Sequence, residues 1–166
     1  MVKKLSLVLA VLGVSAAVAV PSATAGNAHF IKSATGAALS GQNLVCNFKE
    51  AGLAAGSVEN VTCAAAATTT YECVNGGGRN PSASNKTTTV SQVSNSGTFT
   101  ADRSGNINGS LTLSPPSAAD LGFTCPPGQT VTFVGVSYSN VSVTDATSGA
   151  STSIPGTFSF TNPSAP

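Results

Sequence analysis

Apolar and polar positions alternate along much of the chain in short runs separated by turn residues. Leu44-x-Cys46-x-Phe48 and Val61-x-Cys63-x-Ala65 each place apolar side chains at every second residue, the period of a half-buried strand. Ile107-x-Gly109-x-Leu111-x-Leu113 repeats the pattern. Phe30 to Thr35, Thr87 to Val93 and Gly97 to Ala101 are short and rich in β-branched or aromatic residues, which predicts further strands. Thr130 to Thr144 is the longest such stretch. Its apolar phase moves from Val131 and Phe133 to Val134, Val136 and Tyr138, then back at Val141 and Val143, and a slip of that kind predicts a bulge. Thr152 to Phe160 closes the series. DRSG (102–105), PPS (115–117), CPPGQ (125–129) and DATSG (145–149) supply turns between them. The Ala64–Ala67 run admits a helix, but Thr68-Thr69-Thr70 beside it disfavours one. Eight or nine strands without a long 3.6-residue period predict an all-β, antiparallel sandwich.

The N-terminus follows another rule. Lys3-Lys4 precedes an apolar run from Leu5 to Val20, and Ala23-Thr24-Ala25 forms a small-residue exit before Gly26. That order predicts a Sec-type signal peptide over residues 1–25, cleaved between Ala25 and Gly26, and one secreted domain over 26–166. Paired lysines argue against a twin-arginine signal, and the run is short for a membrane span of about 20 residues.

Composition changes the picture in one respect. Beyond the signal, Leu, Ile, Val and Phe number 27 of 141 residues, whereas Ser, Thr and Asn number 51. An interior that lean needs cross-links, and Cys46, Cys63, Cys73 and Cys125 all lie in the exported part. Four cysteines allow three pairings. Folding 44–48 and 61–65 about the EAGLAAGS loop (50–57) sets Cys46 by Cys63, Phe48 by Val61 and Leu44 by Ala65. Tyr71-x-Cys73 and Phe123-x-Cys125 share an aromatic-spacer-cysteine pattern, which favours Cys46–Cys63 with Cys73–Cys125. The cysteines lack the paired C-x-x-C spacing of zinc sites.

Charge excludes several functions. Five basic against six acidic side chains remain beyond the signal, giving no footprint for nucleic acid or an anionic membrane. His29, the single histidine, stands near the start of the exported chain. No G-x-S-x-G accompanies it, so a Ser-His-Asp triad is not expected. Among Glu50, Glu59, Glu72, Asp102, Asp120 and Asp145, spacing selects no pair for glycoside hydrolysis, and Asp102 and Asp145 occupy turn positions. No loop has the D-x-D-x-D-G pattern of a calcium site. No catalytic residue, metal or cofactor is expected.

NGGGRNP (75–81) is the most distinctive loop. Asn75, Gly76, Gly77, Gly78, Arg79 and Asn80 are candidate ligand-binding residues, because successive Gly amides beside a cation suit an anion. The competing reading is a tight loop whose glycines permit positive φ. Tyr138, between Ser137 and Ser139, is a candidate aromatic platform, against which stands simple core packing. Asn60, Asn85, Asn108 and Asn140 begin N-x-[ST] sequons.

FKEAGLAAG, YECVNGGGRNP with Asn85-Lys86, CPPGQ and VSYSNVSVTD resemble segments of a group of secreted actinobacterial proteins with no assigned activity. The resemblance covers most of the exported chain and implies a secreted β-protein. AGLAAGSVENVTCA, FTADRSGNINGSLTL and VTDATSG are similar to stretches of the neocarzinostatin-type apoproteins, immunoglobulin-like sandwiches that carry enediyne chromophores. This second resemblance implies an immunoglobulin-like sandwich, an alternative pairing of Cys63–Cys73 with Cys46–Cys125, and carriage of an apolar small molecule. The chain departs from that family by inserting NGGGRNP and by lacking tryptophan. The function expected from the whole is a secreted, non-enzymatic module that binds a surface, glycan or small molecule through loops. A carboxylate-dependent hydrolase and a protein inhibitor are the remaining alternatives.

Overall fold

A computed structural model describes residues 26–77 and 85–165. Residues 1–25, where a signal peptide is expected, and Gly78, Arg79 and Asn80 of the glycine-rich loop lie outside the described residues. The strands are β1 (His29–Phe30), β2 (Gly36–Ser40), β3 (Asn43–Ala51), β4 (Val58–Asn75), β5 (Lys86–Thr100), β6 (Ile107–Leu113), β7 (Gln129–Asp145), β8 (Ser151–Ile154) and β9 (Phe158–Thr161). Every pairing is antiparallel.

The first sheet has β3 at its centre. β1 and β2 run along one edge of β3, interrupted by a single 3-10 turn at Lys32–Ala34, and β6 runs along the other. In the second sheet the order is β5-β4-β7, with β8 and β9 sharing the far edge of β7. The four-stranded layer thus opposes a five-stranded one, the connectivity of an immunoglobulin-like sandwich in which β3 pairs β6 and β4 pairs β7.

The lean interior reflects the alternation in the sequence. Leu44, Cys46 and Phe48 of β3 face Val61, Cys63 and Ala65 of β4 and Val141 and Val143 of β7, all essentially without exposure. Phe48 meets Phe30 and Phe99 edge-to-face, at ring separations of 6.1 and 5.0 Å. Gly109 of β6 is required there, because a Cβ would lie 2.5 Å from the Phe99 ring and 2.6 Å from that of Phe48.

Both bridges are those the sequence favours, Cys46–Cys63 and Cys73–Cys125. The hairpin expected around 50–57 does not form. β3 and β4 belong to opposite sheets, and the intervening chain crosses between layers, so Cys46–Cys63 ties the two central strands face to face with Cα atoms 6.5 Å apart. The alternation is the same for a sheet neighbour and a facing strand. What it could not show is that β4 has both edges filled, by β5 and β7.

Other expected strands merge or split. Thr87–Val93 and Gly97–Ala101 are parts of one continuous β5, which holds its register against β4 through Ser94–Ser96. Thr152–Phe160 is divided into β8 and β9 by Pro155-Gly156, and Phe30–Thr35 is extended only at its start and end. Ala64–Ala67 is β-strand. The phase slips in β7 are bulges: the register against β4 shifts between Ala64 and Ala66, where Asn140 has φ 52°, and again between Thr70 and Tyr71, where Val134 is the extra residue. Both shifts return apolar side chains to the inner face.

The second bridge has a different task. Beyond β6, residues 114–128 lie over the inner face of the far ends of β4 and β7. Tyr71 donates its hydroxyl to the Pro116 carbonyl at 2.9 Å and packs on Phe123 and Phe133, and Cys73–Cys125 fixes the end of this cover. Loop-closure entropy gives about 3 kcal/mol for the shorter bridged loop and about 4 kcal/mol for the longer. Urea unfolding of residues 26–166 with and without reductant is therefore expected to show a loss of several kcal/mol. The Cys73→Ser/Cys125→Ser pair should expose Tyr71 to solvent, read by its fluorescence, while the rest of the sandwich persists.

Candidate functional site

Among the described residues, those singled out by sequence do not converge. Asn75 ends β4, and its side-chain carbonyl accepts the Gly77 amide at 3.1 Å, the closure of a tight turn. Gly76 and Gly77 are exposed beside it. Tyr138 is not a platform: it is completely buried, and its hydroxyl donates to the Gln42 carbonyl at 2.9 Å, joining β7 to the β2–β3 turn of the opposite sheet. Burial pushes its hydroxyl pKa up to about 12. Tyr138 pairs with Ala67, and the small partner leaves room for the ring inside the sandwich. His29 is exposed on β1, its Nδ1 2.7 Å from the Asn27 carbonyl. Asn60, Asn108 and Asn140 are exposed, whereas Asn85 donates from Nδ2 to Gln129 Oε1 at 3.2 Å.

The six carboxylates separate into two kinds. Asp102 accepts the amides of Ser104 and Asn106 at 2.8 and 3.0 Å, and Asp120 accepts the hydroxyl and amide of Ser117 at 2.7 and 2.9 Å. The Asn106 amide first, then that of Ser104, lowers the Asp102 pKa. The Ser117 hydroxyl, then its amide, does the same for Asp120. Both close turns in solvent. Glu72 is buried on the outer face of β4, where Lys86 of β5 reaches it at 3.1 Å.

Glu50, Glu59 and Asp145 form a cluster that spacing did not reveal. They stand at the end of β3, the start of β4 and the end of β7, at 0, 3 and 0% exposure. Ser148 donates to Glu50 Oε1 at 2.7 Å, Ser57 donates to Glu59 Oε1, and the Thr147 amide donates to Asp145 Oδ1 at 2.8 Å. Glu50 Oε2, Glu59 Oε2 and Asp145 Oδ2 have no donor. Burial, against the opposing Ser148 bond and reinforced by Asp145 and Glu59, pushes the Glu50 pKa up to about 7. Burial likewise raises Glu59. Burial also acts to raise Asp145, but donors from Thr147, Ser148 and Glu59 outweigh it and hold this carboxyl below its ordinary range. Asp145 is thus both the turn residue expected from DATSG and the acceptor of the cluster. Paired carboxylates of a glycosidase need a sugar and a water between them. These three are closed to solvent.

The open surface lies elsewhere. The outer face of the larger sheet is tiled with hydroxyls, because Ser and Thr occupy the outward positions of several adjacent strands. Cross-strand pairs Thr62–Ser96, Thr70–Thr88 and Ser137–Ser159 meet at 2.7, 3.0 and 2.9 Å. A groove of about 830 Å³ follows the β7–β8 seam toward the 3-10 turn. Thr35, Ser142, Thr144, Ser151, Thr152 and Ser153 line it with Pro155 and one cation, Lys32, and no carboxylate. A smaller recess of about 320 Å³, at Asn140 and Gly156, shares Ser142, Ser153 and Pro155 with it. A third, of about 260 Å³, lies on the same sheet between Thr68, Thr70 and Ser159. Sequence reasoning passed over this seam because isolated Ser and Thr carry no motif. The available signal was the run of hydroxyls at alternate positions in 137–144 and 151–153.

Compared with protein-family models, with curated proteins and with solved structures, the chain matches none of them. Tyr138→Phe provides a direct check that this residue is structural. Loss of the Gln42 bond is expected to lower stability by about 1 kcal/mol in chemical unfolding, without altering ligand binding.

Proposed function

We propose that the protein is an extracellular, non-catalytic binding module for a polyhydroxylated ligand such as a glycan, taken along the β7–β8 seam. One observation carries the reading: the groove of about 830 Å³ along this seam is lined by six hydroxyl side chains and no carboxylate. Hydroxyls both donate and accept, so an array of them suits a partner built the same way. Lys32 at one end adds a donor without requiring a charged ligand. The absence of an exposed carboxylate pair in the groove separates this arrangement from a hydrolase.

Export is part of the reading. It is supported by the basic, apolar and small-residue order of residues 1–25 and by the two disulfides, which persist in oxidising compartments. No helix among the described residues is long and apolar enough to cross a membrane. Carriage of an apolar metabolite, implied by the neocarzinostatin-type resemblance, draws less support from a groove that six of its eight lining residues furnish with a hydroxyl. The binding surface favoured here is a sheet face and edge rather than the 75–81 loop.

The test is binding of the oxidised exported chain to a glycan array and to insoluble cell-wall and chitin fractions. Wild-type protein is expected to retain at least one polysaccharide class. Ser142→Ala/Ser153→Ala should weaken that binding about tenfold to thirtyfold, since each hydroxyl bond contributes about 1 kcal/mol. Thr88→Ala, on the far edge strand, should leave it unchanged. Failure to retain any polyhydroxylated material, or equal binding by the double variant, would refute the assignment.

A further inference from the structure

The cluster of Glu50, Glu59 and Asp145 takes no part in the binding reading, yet it brings three acidic side chains together where water is excluded. A buried carboxylate without a partner is costly. The cost is relieved if the group keeps its proton and donates it. Each of the three has one unpartnered oxygen, and all gather at the 145–148 turn, where Ser148 holds Glu50 and where Ala146 and Thr147 bond Asn60 beside Glu59. Glu50 and Glu59 each interact directly with Asp145, which makes Asp145 the shared acceptor between two potential acid donors. Its other oxygen already accepts the Thr147 amide. Titration is displaced upward at Glu50 and Glu59 and downward at Asp145, so Asp145 is the member that ionises first.

Among the described residues no cation forms an ion pair with the cluster. Across the sheet from Glu50 are Phe30 of β1 and Ile107 of β6, neither of which titrates. β8 and the 146–150 segment carry no charged side chain, and Ser57 and Ser148 supply only hydroxyls. The remaining charged groups on neighbouring segments are His29, Lys32, Lys49, Asp102 and Arg103. His29, Lys32, Asp102 and Arg103 are exposed and Lys49 is half-exposed. Among them Lys49 acts on Asp102. No His, Cys, Asp or Glu group among the described residues has the geometry to hold a metal ion. A shared proton accounts for the closeness of the three where a bound cation does not.

We propose that Glu50, Glu59 and Asp145 are a proton-retaining latch, which joins the ends of β3, β4 and β7 across the two sheets and loosens that end of the sandwich when its protons leave. The sign follows from the two directions of titration. Glu50 is held protonated up to about pH 7 in the folded chain but only to about 4.5 when unfolded. Its contribution is whole below the unfolded value and falls away as pH rises through the folded one. Asp145, displaced downward, acts oppositely: its contribution is whole above the ordinary carboxylate range and is lost on acidification. The latch is tightest in mildly acidic solution.

The experiment is chemical unfolding of the oxidised exported chain from pH 5 to pH 8, with hydrogen-exchange protection followed at Thr147 and Ser148 and, for comparison, in β6. The unfolding constant should rise by up to about tenfold per pH unit over the lower part of this range. Protection should fall first at Thr147 and Ser148. Glu50→Gln keeps a donor toward Asp145 but cannot ionise, so it should flatten the dependence, and Glu59→Gln should reduce it. Infrared spectroscopy of the wild type supplies a readout that needs no variant to fold: a protonated-carboxyl band should be present at pH 6 and disappear by pH 8. A flat stability profile, or the absence of that band at pH 6, overturns the proposal. So does stabilisation by calcium at pH 8 that a chelator reverses, which would make the cluster a cation site.

Discussion

The structure depends on one constraint, the joining of the two central strands through their inner faces. β3 is flanked on both sides within its sheet, and β4 is flanked on both sides within the other. Neither has a free edge with which to find the other, so only side chains hold the layers in register. Leucine, isoleucine, valine and phenylalanine are scarce, and the inner face of β4 is lined partly by alanines. Small side chains bury little area each, and the hydrophobic stabilisation of a fold scales with that area. Cys46–Cys63 supplies a fixed point at the place where packing alone is thinnest. Aromatic residues then fill the ends: Phe30, Phe48 and Phe99 at one, Tyr71, Phe133 and Phe160 at the other.

Strand content was legible in the sequence because alternation is a local property. Ile107–Leu113 shows the reason clearly, since each apolar residue there faces inward and each polar one outward. The bulges of β7 were legible too, because an added residue must reverse the parity of everything after it. Layer assignment was not. Cys46 and Cys63 alternate identically whether their strands are neighbours or face one another, and the choice depends on β5 and β7 occupying both edges of β4, information spread over about 80 residues. β5 was read as two strands because Ser94-Asn95-Ser96 carries no apolar position, yet β4 pairs with it throughout.

The candidate sites divide by the same rule. Asn75–Gly77 attracts notice because glycine runs are conspicuous, and its local geometry is a turn that closes on its own side chain. Tyr138 attracts notice because tyrosine is scarce, and the flanking serines suggest exposure. The serines do point outward. In a strand that is the reason Tyr138 points inward. The three acids that converge are separated by 9 and 86 positions in sequence, so no spacing rule links them; antiparallel topology places the end of β3, the start of β4 and the end of β7 at the same end of the sandwich.

A hydroxyl-tiled sheet follows from the same economy. The outward positions of a strand tolerate any residue with β propensity, and threonine meets that requirement while remaining wettable. Cross-strand hydroxyl pairs satisfy part of the donor and acceptor capacity within the sheet and leave the rest to solvent or to a ligand. Where β8 ends at Ile154 and the chain turns away at Pro155, the tiled face acquires a wall, and the seam becomes a groove instead of a plane. Concavity is what distinguishes this part of the sheet. The groove brings its hydroxyls around a common space from β7, β8 and the segment near Lys32, whereas the edge strand β5 presents the same chemistry without enclosure. The polyhydroxylated ligand proposed above would therefore meet several convergent partners at the first place and only a row of separate ones at the second.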